Sequence, residues 1–498
     1  MKKSKILLIF MILIYSLTIT ACVNLNSNKN DIVAPNNESC PIEGTWKVDF
    51  GNLDKNNRLR LRLKDKDVII SSKYIKLGNE ICKSPEFKVK RVKAEEYFLY
   101  KLRLNSDKLN LNKKEIEVVS TSWDDKPFYD FIKIDEQKLF LYIDNQLVTL
   151  IKKSDDVNIK SDNKSIQNNS LEDITKPKKE SLLRSGILIG LKSSKTNNID
   201  EYKNEKSYRT IFIVSRNRDI KSVIESPNLF VPRKNGFCQI GVSRINNFNN
   251  VQDSIFVEPI YNNYLIKNNY IQENDIKNTS IYRDILFVSN DYIAIEYNNV
   301  YKNNPTDLYR VKMLPIDNIN AVEGVNIGDI IDKDGQKILK SSLESCLKFK
   351  DESIINKLEK EPNKHSFFLS RRNGHWILKG RLSGIKNKEQ YMDFNINTEI
   401  PKKILNYDDL NLSWNTIKSR VPNALDAYTS PNKDLAVITT EGQLYVYAID
   451  NRELSNKPIY EMKLNKETVV MAEWATGDYV RKWNFGISKN KSSHVLKK

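Results

Sequence analysis

Thr429-Ser430-Pro431-Asn432-Lys433-Asp434-Leu435-Ala436-Val437-Ile438-Thr439-Thr440-Glu441-Gly442-Gln443-Leu444-Tyr445-Val446-Tyr447-Ala448-Ile449 carries the most legible structure in the chain. Turn-forming residues lead into an apolar run, Glu441-Gly442 makes a two-residue turn, and the return segment alternates with period two. That pattern predicts a β-hairpin. Working outward, Phe230-Val231-Pro232-Arg233-Lys234-Asn235-Gly236-Phe237-Cys238-Gln239-Ile240 has an internal echo in Phe368-Leu369-Ser370-Arg371-Arg372-Asn373-Gly374-His375-Trp376-Ile377-Leu378. Each places Asn-Gly between apolar runs, a strong hairpin signal because both residues tolerate the positive φ of a type I′ turn. Further short segments at 187–191, 209–214, 254–257, 285–288, 293–297, 308–313 and 469–474 predict more strands. Lys337 to Phe349, with Ile338, Leu339, Leu343, Cys346 and Leu347, has a helical period instead.

Repeated hairpins of this design resemble the blades of a β-propeller. The resemblance implies that 182–486 closes a ring of six or seven blades. The repeats keep no fixed period, so an irregular β or α+β domain is the competing expectation.

Residues 40–153 form a second β-rich block. Segments at 45–50, 58–64, 68–71, 87–92, 97–104, 115–120, 128–134, 138–143 and 147–152 alternate between turn residues such as Gly51-Asn52 and Asp135-Glu136. About nine strands in that length suit a small antiparallel barrel. Gly44-Thr45-Trp46 at the head of its first strand resembles the Gly-x-Trp signature of lipocalin-like proteins. The resemblance implies an up-and-down barrel with Trp46 plugging its floor beneath a basic residue of the last strand, Lys152 or Lys153, and a small apolar ligand at the mouth. The fold class expected for the whole chain is mainly β: a small antiparallel β-barrel followed by a larger β-rich, propeller-like domain.

Between the two blocks, 154–181 is rich in Ser, Asn, Asp and Lys, and no aromatic residue occurs between Tyr142 and Tyr202. Such a stretch cannot bury enough surface to offset the entropy of ordering it, and predicts a linker. The Asn-rich segment 22–39 predicts a stalk, and 487–498 a flexible basic tail.

At the other end, Lys2, Lys3 and Lys5 precede an apolar run from Ile6 to Leu17, then Thr18-Ile19-Thr20-Ala21-Cys22. The run falls short of the roughly 20 residues that span a bilayer. Charge, apolar run and small residues in that order form a secretory signal over 1–21. Ile19-Thr20-Ala21-Cys22 resembles the lipobox of bacterial lipoproteins. The resemblance implies cleavage before Cys22, a diacylglycerol thioether on its sulfur with further acyl chains such as palmitate, and a location at the extracytoplasmic face of the cell membrane. Two or more acyl chains anchor stably where one does not.

The net charge of +17 falls to +14 without the three signal lysines, and favours anionic neighbours such as headgroups or envelope polymers. Abundant Lys, Asn and Ile also fit an AT-rich genome. Export argues against nucleic acid as a partner. Apart from Cys22, the cysteines are Cys40, Cys82, Cys238 and Cys346, an even number in a disulfide-permissive compartment. Cys40 with Cys82 and Cys238 with Cys346 are candidate bridges, with four separate thiols as the alternative.

Chemistry-bearing patterns are sparse. His365, His375 and His494 are the only histidines, too few for histidine-rich zinc sites. No His-Glu-x-x-His, Gly-x-Ser-x-Gly, phosphate-cradling loop or Cys-x-x-Cys is present. No metal or cofactor is expected. Asp332-Lys333-Asp334-Gly335 lacks the ligand spacing of a calcium loop and predicts a turn. Cys238 with His375 is the one conceivable thiol–imidazole pair. Glu473 with Asp478 or Asp426 is the candidate acid pair for glycan hydrolysis, which needs two carboxylates across a cleft. Trp376, Trp414, Trp474 and Trp483 are candidate stacking platforms. These features point to a non-enzymatic surface lipoprotein that binds an anionic polymer or a protein at the envelope. The alternatives are an envelope glycan hydrolase and a small-ligand carrier.

Overall fold

A computed structural model describes residues 32–33 and 40–497, except 52, 55–56, 103, 105–108, 110, 112, 124–125, 144–145, 158–182, 195–199, 235, 248–249, 261–278, 302–303, 332–333, 349, 386–389 and 491. The signal, Cys22, most of the stalk and most of the linker lie outside those residues. The fold is mainly β, in two assemblies.

The first is a ten-stranded sheet: β1 (Ile32–Val33), β2 (Gly44–Asp49), β3 (Asp67–Ile70), β4 (Tyr74–Leu77), β5 (Glu80–Lys83), β6 (Glu86–Lys93), β7 (Glu115–Trp123), β8 (Lys126–Lys133), β9 (Lys138–Ile143) and β10 (Gln146–Ser154). Their order is β1-β6-β7-β8-β9-β10-β2-β3-β4-β5, every pairing antiparallel. Because β10 returns to β2, sequence neighbours are sheet neighbours from β2 to β5 and from β6 to β10, and the order breaks only at the β5–β6 seam and at β1, which pairs with β6. The sheet is curled into a small barrel. Tyr129 Oη on β8 donates to Glu80 Oε2 on β5 at 2.8 Å, and Trp46, Ile70, Ile75, Phe131, Leu139 and Leu150 from many strands share one core. A barrel this small is filled by its own side chains.

Two segments expected as strands are helical. Arg58–Leu63 is a helix whose cap, Asn57, accepts from Leu59 N through its side chain. Arg-Leu alternation fits either period, and packing decides: Leu59 and Leu63, four apart, are buried, whereas Leu61 is 63% exposed. Ala94–Glu96 and Tyr97–Lys101 likewise form one irregular helical turn sequence in place of the expected strand over 97–104, burying Phe98 and Leu99.

The second assembly divides into five antiparallel units. They are β11 (Arg184–Ser194) to β13 (Asp219–Pro227) through β12 (Lys206–Arg216); β14 (Leu229–Arg233), β15 (Gly236–Asn247) and β16 (Asn250–Pro259); β17 (Thr279–Val288), β18 (Tyr292–Tyr301) and β19 (Asn304–Pro315); β20 (Phe367–Arg372), β21 (His375–Ser383) and β22 (Tyr391–Asn395); and β23 (Asp426–Thr429), β24 (Leu435–Thr439), β25 (Gln443–Asp450), β26 (Glu453–Leu454) and β27 (Tyr460–Lys463). The second and third units touch through one parallel bridge, Gln252 with Ile281. After the fifth unit the chain returns to the first, where β28 (Thr468–Thr476) pairs along β11 and β29 (His494–Lys497) pairs on β13.

Hydrogen bonds run from each unit to the next. Phe230 N donates to Thr210 Oγ1 at 2.8 Å, Arg283 N to Asp253 Oδ2 at 3.1 Å, Arg381 Nη1 to Glu296 Oε2 at 2.5 Å, Arg371 Nε to Asp426 Oδ2 at 2.5 Å, and Ser185 Oγ to Asp434 Oδ1 at 2.7 Å. The last of these joins the fifth unit back to the first. The circuit closes, and the arrangement is propeller-like. Five units are described instead of the six or seven expected. The stretch between β19 and β20 holds helices Ile327–Ile330, Gly335–Leu347 and Glu352–Ile355 and, among the described residues, no further strand beyond an isolated bridge from Leu358 to Gly384, in keeping with the helical period read there.

Three more expectations need correction. Cys40, Cys82, Cys238 and Cys346 are all free thiols. Cys40 and Cys82 pack in the barrel core and Cys238 between units, as small apolar groups. Burial pushes the Cys238 thiol up to about 12 and the Cys40 thiol up to about 11. The C-terminal segment is structured: helix Asp478–Lys489 covers the first unit and His494–Lys497 extends its sheet. In the first Asn-Gly hairpin, Arg233 pairs with Gly236, so the turn falls one residue earlier than in its echo.

Candidate functional site

The densest polar cluster lies where the fourth and fifth units meet. Arg372 pairs with His375, leaving Asn373 (φ 49°) and Gly374 (φ 88°) as a type I′ turn. That turn aims Gly374 N at Asp426 Oδ1, 2.7 Å away. Asp426 also accepts from Arg371 Nε at 2.5 Å, Arg371 Nη2 at 3.1 Å, Ala427 N at 2.9 Å and Tyr428 Oη at 2.8 Å. Asp408 takes Arg371 Nη1 and Trp376 N, both at 2.8 Å. The guanidinium carbon sits 4.2 Å from the Tyr428 ring centroid and 5.1 Å from that of Trp376. Burial works against the Arg371 charge, but Asp426, Tyr428 and Asp408 outweigh it and hold the proton more firmly than on an ordinary arginine. The recess beside this cluster, lined by Arg371, Trp376, Tyr407, Tyr428 and Trp474, has about 10 Å³. That is room for one water, far below the roughly 300 Å³ of an organic-ligand site.

The candidate acids do not share a cleft. Glu473 on β28 is 6% exposed, lies between Met471 and Ala475 on the apolar side of the strand, and its Oε1 has no hydrogen-bond partner. Burial, and secondarily Asp291, push its carboxyl up to about 8. Asp478 is 71% exposed and sits 3.8 Å from both Arg184 and Arg481. Asp426 is committed to Arg371.

The remaining sequence candidates are dispersed. Cys238 and His375 are buried in different units, and His375 Nδ1 contacts Asp408 O at 3.1 Å. His365 Nδ1 contacts Gly324 O at 2.6 Å, and His494 lies opposite Glu225 in the sheet. Asp334 precedes helix Gly335–Leu347 without a side-chain capping hydrogen bond, while Asp332 and Lys333 lie outside the described residues. Among the described residues, no three His, Cys, Asp or Glu side chains assemble a metal site. Trp376 and Trp483 are buried, which removes them as platforms; Trp414 and Trp474 are half-buried.

One cluster escaped the sequence reading. Tyr202 sits edge-on to Tyr282 and Tyr309, with centroids 5.3 and 5.8 Å away, and Tyr309 lies 5.0 Å from Tyr391. Arg381, gripped by Asp393 and Glu296, stacks 4.0 Å from the Tyr391 centroid. Tyr391 is 42% exposed. Tyr309 has φ 53°, unfavourable for a bulky residue, and is held there by Asn298 Oδ1, which accepts from Tyr309 N at 2.6 Å, and by Arg381 Nη1, which donates to Tyr309 O at 2.9 Å. These residues come from four distant segments, so no local pattern announces the ledge.

At the barrel floor, Lys152 pairs with Trp46 across β10 and β2, its Nζ 5.7 Å from the indole centroid. Trp46 Nε1 donates to Ile42 O at 3.3 Å. Gly44, at φ 144°, sits where a Cβ would meet Lys152 Cε and Ser154 O at 2.9 Å, so the turn into the strand needs glycine. A recess of about 260 Å³ opens there, lined by Trp46, Lys152, Lys133, Glu136, Asp155 and Cys40 among others.

Fold and site together define a mainly β protein with a filled barrel and a propeller-like ring. No family model matches the chain, and a comparison with curated proteins returned no match.

Proposed function

We propose that the protein is a lipid-anchored, extracytoplasmic binding protein of the cell envelope. The observation that carries this reading is Ile19-Thr20-Ala21-Cys22 directly after the apolar run Ile6 to Leu17. Cleavage before Cys22 and acylation of its sulfur hold the chain at the membrane by its first mature residue. Binding takes place on the ring, at the Tyr202–Tyr309–Tyr391 ledge, where Tyr391 is 42% exposed and Lys203 lies over the Tyr202 ring, an aromatic edge beside a lysine that suits a phosphate-bearing envelope polymer. The strained φ of Tyr309 supports a functional ledge.

Gly44, Trp46 and Lys152 are arranged as the lipocalin likeness implies, which supports that kinship for the barrel. Its lumen is packed with Trp46, Phe131 and aliphatic side chains, which weighs against a ligand carried inside it. The burial of Glu473 and the exposure of Asp478 weigh against glycan hydrolysis.

Replacing Cys22 by serine is expected to move the protein to the soluble fraction or to leave the precursor uncut. A Cys22→Ser protein that is processed and still membrane-bound would show that lipid is not the anchor. For the ledge, Tyr309→Ala with Tyr391→Ala is expected to weaken retention on immobilised phosphate-bearing envelope polymer by about tenfold or more, the scale of one to two cation–π or stacking contacts. Unchanged retention would remove the ledge from the binding surface.

A further inference from the structure

The helix Asp478–Lys489 turns Val480, Trp483 and Ile487 into the ring core. Its opposite face is not an ordinary polar one. Tyr479 is 63% exposed and Phe485 60% exposed, and Lys482 and Lys489 fall on the same stripe at helical spacing. Each lysine lies along a ring: Lys482 Nζ is 5.2 Å from the Tyr479 centroid, and Lys489 Nζ is 4.3 Å from that of Phe485. The final strand adds an exposed apolar residue on the same side of the sheet. Val495, 49% exposed, pairs with Ile224, whose side chain packs in the same core as Trp483 and Ile487, so Val495 emerges on the helix side of the sheet.

Charge selects the occupant. Among the described residues from 477 to 497, Arg481, Lys482 and Lys489 are exposed cations, and the one exposed acid, Asp478, lies between Arg184 and Arg481 at 3.8 Å. Exposed aromatic rings flanked by lysines match the boundary of an anionic bilayer. The ring enters the headgroup layer, the ammonium meets phosphate, and the lysine stem lies along the ring. We infer that this face docks the ring onto an anionic lipid surface, acting beside the N-terminal anchor. This inference rests on the envelope location proposed above.

The test uses the full chain carrying Ser488→Cys, with an environment-sensitive fluorophore on the new thiol beside the stripe and the unsubstituted chain as labelling control. Flotation with vesicles reports anchoring, and the fluorophore reports docking, so the two readings fail separately. On phosphatidylcholine vesicles containing about a third phosphatidylglycerol, a blue shift and at least a twofold rise in emission are expected. Neither is expected on pure phosphatidylcholine, nor with Lys482→Glu and Lys489→Glu added. Four results would overturn the proposal: no change on anionic vesicles, an equal change on neutral ones, a change that survives the two substitutions, or a change that grows with protein concentration in the absence of lipid. The last would point to a second copy of the chain on this face.

Discussion

Arg371→Ala is expected to cost about 3–5 kcal/mol of unfolding free energy, the range for removing one member of a buried ion pair. Among the described residues the guanidinium is the only side-chain cation bonded to Asp426, and it also holds Asp408. Without it the nearly buried Asp426 carboxylate loses its guanidinium, and Asp408 loses one of its partners. The backbone donors Gly374 N and Ala427 N and the Tyr428 hydroxyl remain, but they are neutral. The damage reaches beyond one pair, because Arg371 joins the fourth unit to the fifth and also contacts Ala427 O at 2.9 Å. Arg371→Lys restores charge without the planar fork and is expected to recover only part of the loss. Urea unfolding followed by tryptophan emission reads the change, since Trp376 lies against the guanidinium. A loss below about 1 kcal/mol would mean the network contributes little, as for surface pairs.

Glu473→Gln is expected to flatten the pH dependence of stability. The ordinary glutamate pKa is 4.5, and burial raises that of Glu473 to about 8. Below 4.5 the carboxyl is protonated in both folded and unfolded chains, and the folded state keeps its full stability. Between 4.5 and about 8 the unfolded chain ionises first, so stability falls as pH rises, by up to roughly 1.4 kcal/mol per pH unit. Above about 8 the folded carboxyl ionises too, and the loss levels off. The wild-type chain should therefore weaken from pH 5 to pH 8 by a few kcal/mol more than the variant. The comparison is of slopes, so any fixed cost of burying the glutamine amide drops out. Parallel curves for the two chains would show that Glu473 is ionised in the fold.

The local parts of this fold were legible because their signals are local. Asn373-Gly374 demanded a type I′ turn and makes one, and the 435–449 hairpin forms where Glu441-Gly442 turns the chain. The helical period near 337–349 matches helix Gly335–Leu347. Ring closure was not legible. Residues 469–474 read as a strand, but nothing in them names β11, some 280 positions earlier, as the partner. The C-terminal segment misled through composition: lysines suggested a loose tail over 487–498, yet Ile487 is buried in the ring core and His494–Lys497 pairs along β13. Arg-Leu alternation over 58–63 fits two periods, and only the burial of Leu59 and Leu63 chose the helix.

The candidate site was legible residue by residue and not as an assembly. Asp426 was nominated as an acid, but its commitment to Arg371 depends on two units meeting. Glu473 was nominated as a hydrolytic acid, but Met471 and Ala475 on the same side of β28 belong to the ring core, and the carboxyl is buried with them. The tyrosine ledge draws on segments near 202, 282, 309 and 391, which only the ring brings together.

The most direct test of the proposed role is the mass of the mature N-terminal peptide recovered from native membranes. The expected result is a peptide beginning at Cys22 and carrying a diacylglycerol on its sulfur. A chain that still begins at Met1, starts at another residue, or carries Cys22 as an unmodified thiol would contradict lipid anchoring.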